Sequence, residues 1–411
     1  MNTVKAELLA PAGDFEKLKT AFYYGADAAY IGGKTMSLRA LAGNFTDEEI
    51  VKAAKYAHSL GKKIYVTVNI FAKNADLGFA EKYFKFLEMT GIDGAIISDP
   101  GLIYLCRKVA PGLSVNLSTQ ANTLNKAAVE FWKEVGVKRV ILARELSYKE
   151  IKEIHEACPD VEIETFIHGA MCISYSGRCL LSNYLNGRDS NRGACVQACR
   201  WEYEVREKNK GGDYLTVEED DRGTYIFNSK DLNLIDEIDK LIDSGVISFK
   251  IEGRMKSEYY LATVINAYRR AIDAYYVCGA KYKDDDLFNN ELIKTAHRAF
   301  TKAYFYGSND KTVNYTDSQS KGTRKFIATV VTGNENSDYA VIEMRNRFKK
   351  GDELEVLSPS DSFNKIIKVE RMENADGESI EDAKIVQQKI KLYTTVPLFA
   401  GDMLRIKSEE N

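Results

Sequence analysis

Short apolar runs alternate with stretches of helical periodicity from the N-terminus onward. They predict a strand from about Glu7 to Gly13, a helix to Gly25, a strand Ala28 to Gly33, a helix Asp47 to Leu60 and a strand Lys63 to Phe71. Further strands are predicted at Gly94 to Ser98, Ser114 to Gln120, Arg139 to Arg144, Glu162 to His168 and Ser248 to Arg254, with helical segments between them. Eight strand-helix units predict an α/β fold of the (β/α)8, TIM-like barrel type, which normally takes about 250 residues and here would close near residue 280. A doubly wound sheet is the rival, but LLAPAGDFEKL follows the first strand in place of a G-x-G-x-x-G.

The seventh strand is followed by roughly eighty residues before the eighth, far more than such a connection needs. Within this insertion, residues 172–247, the stretch Glu202 to Phe227 alternates around Gly211-Gly212 and predicts a hairpin lid. Two amphipathic helices, Ser257 to Cys278 and Asp286 to Tyr306, then lead to a polar joint. Beyond the joint, FIATVV, YAVIEM, DELEVL, KIIKVERM, KIKLYT and DMLRI are separated by Gly, Asn and Asp turns. They predict a small C-terminal antiparallel β-barrel domain over residues 325–411, after a barrel domain over residues 1–310.

With 411 residues and 45% hydrophobic content, the chain can bury one large core and a second, smaller one. No stretch of eighteen apolar residues and no signal-like N-terminus is present, so a cytoplasmic, reducing setting without a membrane is expected. The net charge of −3 excludes a global basic field, so any nucleic-acid contact must be local. Lys208 and Lys210, or Lys321, Arg324, Lys325, Arg345, Arg347, Lys349 and Lys350, are the available patches, although such runs also serve as plain solvated faces.

Four of the seven cysteines, Cys172, Cys179, Cys195 and Cys199, bunch just after the seventh strand, at the rim where barrel enzymes build their sites. An odd count, clustered in this way, argues for metal binding rather than disulfides. An iron-sulfur cluster ranks first, because the C-x6-C gap fits structural zinc poorly; buried packing thiols are the third option. Cys106, Cys158 and Cys278 lie in helical patterns and read as packing residues.

Polar residues recur at period two along the predicted strands: Asn116, Ser118 and Gln120; Glu164 and His168 about Phe166; Lys250, Glu252 and Arg254. Helices cover the outside of such a barrel, so this face predicts a polar, ligand-holding lumen. Arg144, Arg178, Arg192 and Arg254 are candidate clamps for an anionic substrate, each also able to serve as a structural ion-pair partner. His168 is a candidate proton-transfer group or a hydrogen-bonded structural residue. No H-E-x-x-H, G-x-S-x-G or G-x-x-x-x-G-K-[ST] occurs, so no hydrolase motif is present.

ETFIHGAMCISYSGRCLLSNYLNGRDSNRGACVQACRW, with ELLAPAGDFEKLKTAFYYGADAAYIGG before it and NSKDLNLI and SFKIEGRMKSEYYLATVINAYR after it, resembles the collagenase-like peptidase family U32 along nearly the whole chain. EEDDRGTYIFNSKDL and the C-terminal β-domain are similar to the branch concerned with tRNA hydroxylation. That resemblance implies formation of 5-hydroxyuridine at the tRNA wobble position, prephenate as co-substrate, a [4Fe-4S] (4Fe-4S) cluster, and tRNA and a paralogous protein as partners. The family name implies the alternative of a metal-dependent, collagenase-like peptidase. By position, Cys172, Cys179 and Cys195 match the family's cluster ligands. Some relatives carry the fourth cysteine where this chain has Asn233, which leaves Cys199, whose counterpart is a ligand in one sister branch.

Overall fold

The computed structural model describes residues 5–38, 43–172, 174–201, 219–220, 223–224, 229–284, 286–307 and 320–408. Seven strands, β1 (Glu7–Pro11), β2 (Ala28–Gly32), β3 (Lys63–Val68), β4 (Gly94–Ile97), β5 (Val115–Leu117), β6 (Arg139–Ile141) and β7 (Glu162–Ala170), run parallel in sequence order. The two-residue strands β8 (Glu219–Asp220) and β9 (Gly223–Thr224) pair with each other in the insertion. After β10 (Asp231–Asn233), β11 (Val246–Ile251) pairs in parallel with both β1 and β7 and so closes the eight-stranded barrel predicted from the sequence.

The helices α1 (Phe15–Tyr23), α2 (Asp47–Ser59), α3 (Asn74–Thr90), α4 (Pro100–Val109), α5 (Lys126–Glu134) and α6 (Tyr148–Ala157) return the chain between strands. Asp14, Thr46, Asp99, Asn125 and Ser147 cap α1, α2, α4, α5 and α6 with their side-chain oxygens, because the first amides of a helix lack internal partners. Alanine-rich strands such as β2 let the helices approach closely, and the barrel core is continuous from Ala6 to Phe305 and takes in Leu357 and Met403 of the C-terminal domain. The cysteine-bearing segment holds α7 (Leu181–Asn186), and α8 (Ile238–Asp243) precedes β11. Of the hairpin expected over Glu202 to Phe227, residues 202–218, with Gly211-Gly212, Lys208 and Lys210, lie outside the described residues, and within the rest β8 and β9 pair with each other.

The helix expected at Ser257 to Cys278 is α9 (Glu258–Cys278), capped by Ser257. The one expected at Asp286 to Tyr306 is helical only over α10 (Leu287–Leu292). Its second half is recruited by the sheet, where β12 (Phe300–Thr301) pairs in parallel with β10. The C-terminal strands are β13 (Arg324–Thr332), β14 (Tyr339–Met344), β15 (Phe348–Lys349), β16 (Glu353–Leu357), β17 (Ile366–Lys368), β18 (Met372–Glu373), β19 (Asp382–Ala383), β20 (Lys389–Tyr393) and β21 (Met403–Lys407). Seven of them form an antiparallel half-barrel in the order β17-β16-β21-β13-β14-β20-β18, around its own core of Ile327, Val330, Ile342, Leu354, Leu392 and Leu404. No described helix is long and apolar enough to cross a membrane.

A buried ion-pair network joins the two domains. Arg405, fully buried on β21, reaches Glu291 on α10 at 2.5 and 2.9 Å and Glu355 on β16 at 2.6 Å. Lys294 binds the same Glu355 at 2.6 Å, and the hydroxyls of Tyr23 and Tyr24 donate to Asp402 and to the carbonyl of Leu357 at 2.9 and 3.0 Å.

Candidate functional site

Inward-facing residues of the barrel strands stack charges in the lumen. At the lower level Arg139 on β6 donates to Glu7 on β1 at 2.6 Å, to Glu162 at 2.8 Å and to Glu164 on β7 at 3.3 Å. Burial works to raise the Glu7 carboxyl, but the Arg139 guanidinium outweighs it and holds the group below its ordinary range. One level up, Lys250 on β11 donates to Glu164 at 2.6 Å, with its nitrogen 4.4 Å from the Tyr30 ring centroid. Burial holds the Lys250 amine below its ordinary value in spite of Glu164.

Above this layer a cavity of about 170 Å³ opens at the C-terminal ends of the strands. Arg144, Lys250, Glu252, Arg254 and Cys172 line it together, with Phe166, Tyr30, Ser118 and Gln120. The Arg144 guanidinium stacks 3.8 Å from the Phe166 centroid and donates to the Ala170 carbonyl at 2.9 Å, which leaves its buried Nε without a hydrogen-bond partner. Arg254 donates to the hydroxyls of Ser37 and Thr67 at 2.9 and 3.0 Å. Gln120 is 8% exposed, and its buried Oε1 has no hydrogen-bond partner either. These are groups arranged for a ligand's carboxylates and polar edges.

Three other sequence candidates stand elsewhere. Arg178 donates to the backbone carbonyl of Gln120 at 2.7 Å and so braces the loop after β5. His168 faces away from the cavity, packed edge-on to Tyr268 with ring centroids 5.5 Å apart and against Phe300. The register of β7 against β11 shifts between Phe166 and His168, which breaks the period-two alternation, and burial pushes the imidazole down to about 3. Arg192 is a strut: it clamps Asp76 at 2.9 and 3.2 Å and the Phe71 carbonyl at 2.6 Å, fastening the cysteine segment to the loop after β3.

None of the four clustered cysteines forms a disulfide, and all four are half-buried. Burial raises the Cys172 thiol, and the charges of Cys179 and Cys195 add to that, which places each of them within electrostatic reach of Cys172. The amides of Leu181 and Gln197 donate to the sulfurs of Cys179 and Cys195 at 3.3 and 3.4 Å, contacts that stabilise thiolates and tune sulfur ligands. Asn191 and Ser190 both donate to the Cys179 carbonyl, at 2.9 and 2.5 Å, which fixes its loop. Among the described residues no three His, Cys, Asp or Glu side chains are set at metal-holding distance, so the fit to a cluster lies in donor chemistry and loop bonding. Asn233 is committed elsewhere: its side chain binds Asn289 at 3.1 Å and accepts from the Ile235 amide at 3.1 Å.

Sequence reasoning missed the aromatic walls, Tyr30 and Phe166, and the lower Glu7-Arg139 pair. Phe166, two residues after the lumen-facing Glu164 on β7, was the available signal. Of the basic patch on the C-terminal domain, Arg324, Arg345, Arg347 and Lys350 are each paired to a carboxylate of that domain.

The chain matches peptidase family U32 over residues 13–315 and the family's C-terminal domain over residues 323–405. It is 43% identical over 405 residues to tRNA hydroxylation protein P1 of Bacillus subtilis, across 98% of this chain and 95% of that protein. It is 35% identical to a collagenase of Porphyromonas gingivalis over 75% of each chain. It is also 34% identical to the 23S rRNA 5-hydroxycytidine C2501 synthase of Escherichia coli, across 86% of this chain and 52% of that protein. Matched in both of its domains, the chain belongs to peptidase family U32.

Proposed function

We propose that this protein is a cytoplasmic RNA hydroxylase that forms 5-hydroxyuridine at the tRNA wobble position, with prephenate as co-substrate, a 4Fe-4S cluster and a paralogous partner protein. The observation that carries the reading is that Cys172 lines the same cavity as Arg144, Lys250 and Arg254. Cys172, Cys179, Cys195 and Cys199 are the residues to hold the cluster, which when bound supplies one-electron redox chemistry that side chains lack.

The protein's own part is binding and orientation. Arg144 and Arg254 suit the two carboxylates of prephenate, and Phe166 and Tyr30 give its ring an apolar wall. The cavity is smaller than the usual 300–1,000 Å³, roughly, of drug-sized ligand sites, so a polynucleotide can present only an extruded base at its mouth. Relatives that differ in domain content, and are named for hydroxylated tRNA and rRNA, support RNA as the substrate class.

Nucleoside mass spectrometry of tRNA from a deletion strain that also lacks the paralogue tests the reading. Loss of wobble 5-hydroxyuridine is expected; an unchanged level rejects the reading. A metal-dependent peptidase is the second reading, favoured by the collagenase relative. None of the chain's four histidines lines the cavity, which deprives a hydrolytic site of its commonest base. Digestion of gelatin by a purified, protease-free sample would favour that second reading.

A further inference from the structure

Lys250 is placed unlike the other cations of the lumen. Arg139 below it is closed in by Glu7, Glu162 and Glu164, the arrangement of a structural guanidinium. Lys250 shares Glu164 with Arg139, is 3% exposed, and borders open space, because the cavity begins at its side chain. Glu164 lies 2.6 Å from the Lys250 nitrogen and 3.3 Å from Arg139, within reach to take a proton from the amine, and a desolvated lysine beside another cation is the usual setting of a nucleophilic amine. The lowered value of the Lys250 amine agrees with this placement.

The surroundings define what such an amine would meet. The Lys250 nitrogen lies 5.5 Å and the Arg144 guanidinium 3.8 Å from the centroid of the same Phe166 ring, so amine and guanidinium flank one apolar floor. The unpartnered Nε of Arg144 and the unpartnered Oε1 of Gln120 belong to the same cavity wall. An amine, a carboxylate within proton reach of it and a guanidinium are the complement of a carbonyl next to a carboxylate.

We infer that Lys250 is a catalytic nucleophile and that the lumen takes a small 2-oxo acid, which Lys250 binds covalently as an imine. The Lys250 ammonium gives a proton to Glu164, and the neutral Nζ attacks the carbonyl carbon to form a C–N bond. The carbinolamine oxygen takes one proton from the attacking nitrogen and the other back from Glu164, and leaves as water. The balance is ammonium plus ketone giving iminium plus water, with no oxidant or reductant. Arg144 and Arg254 hold the carboxylate. The inference deepens the proposed function, since prephenate carries a 2-oxo acid group, yet its test uses neither RNA nor a hydroxylation assay.

The full-length protein is incubated with pyruvate, treated with sodium borohydride and digested for peptide mass spectrometry. The expected result is a hydride-stable adduct on the peptide carrying Lys250, absent with lactate, which has no carbonyl. Lys250→Arg, which keeps a cation beside Glu164, removes the adduct, and Glu164→Gln slows its formation roughly a hundredfold. No adduct on Lys250 in the wild type, or adducts spread over surface lysines alike in wild type and Lys250→Arg, overturns the inference. Wild-type mapping decides the matter even if Lys250→Arg does not fold. An adduct combined with unchanged wobble uridine in the deletion strain would reject the RNA reading and leave this one standing.

Discussion

Cys179 and Cys195 each accept a hydrogen bond from the amide two residues on, whereas Cys278 lies exposed at the end of α9. Cys179→Ser should therefore lose iron from anaerobically purified protein and Cys278→Ser should keep it, by iron and sulfide assay. Cys199→Ala should remove the iron as fully as Cys195→Ala. Asn233→Ala should leave it in place, because that side chain is bound to Asn289 and the Ile235 amide. His168 gives a pH prediction. Its imidazole titrates at about 3 when folded, against about 6.5 when unfolded, so the unfolded chain binds the extra proton between those values. The stability it contributes is complete above pH 6.5 and is lost as pH falls, by about 2 kcal/mol between pH 7 and pH 5. Urea unfolding at the two pH values should show a smaller difference in His168→Gln. The cysteines were legible because clustering survives in one dimension; the direction of His168 was not, because the register shift that turns it appears only when β7 meets β11.

That meeting also depends on Gly169. Its φ is +107°, and a Cβ there would stand 2.4 Å from the Glu252 carbonyl oxygen, a backbone atom with no room to yield. Gly169→Ala should cost about 1–3 kcal/mol from the strained backbone alone and more from the clash, measured by urea unfolding. The cysteine segment is fastened at several points: Glu145 binds the amide and hydroxyl of Ser176 at 2.6 and 2.7 Å, and Arg192 holds Asp76. Arg192→Ala should cost only about 1 kcal/mol or less in stability, since the pair is partly exposed, but should speed limited proteolysis of the segment. All eight barrel strands could be read from apolar runs, because a strand covered on its outer face by helices needs them. The helix expected to continue to Tyr306 could not be corrected from the sequence, since the pairing that draws out Phe300 and Thr301 comes from β10, far upstream in the chain.

Across the whole molecule the sequence predicts two domains and a polar joint, most of which lies outside the described residues, but not what holds the domains together. Arg405 in the strand DMLRI looks like an outward-facing charge; in the structure it is fully buried between Glu291 and Glu355. Its partners come from an α-helix of one domain and a strand of the other, a pairing no local pattern reveals. Arg405→Met should destabilise the protein by roughly 3–5 kcal/mol, because two carboxylates lose their guanidinium inside the fold. That single side chain also bears on how the protein melts. A domain released from its neighbour would give up the Arg405–Glu291 and Lys294–Glu355 pairs that cross between the two, so neither half has a favourable route to unfold first. Calorimetry should accordingly record one cooperative endotherm for the full chain, and two separated endotherms in Arg405→Met.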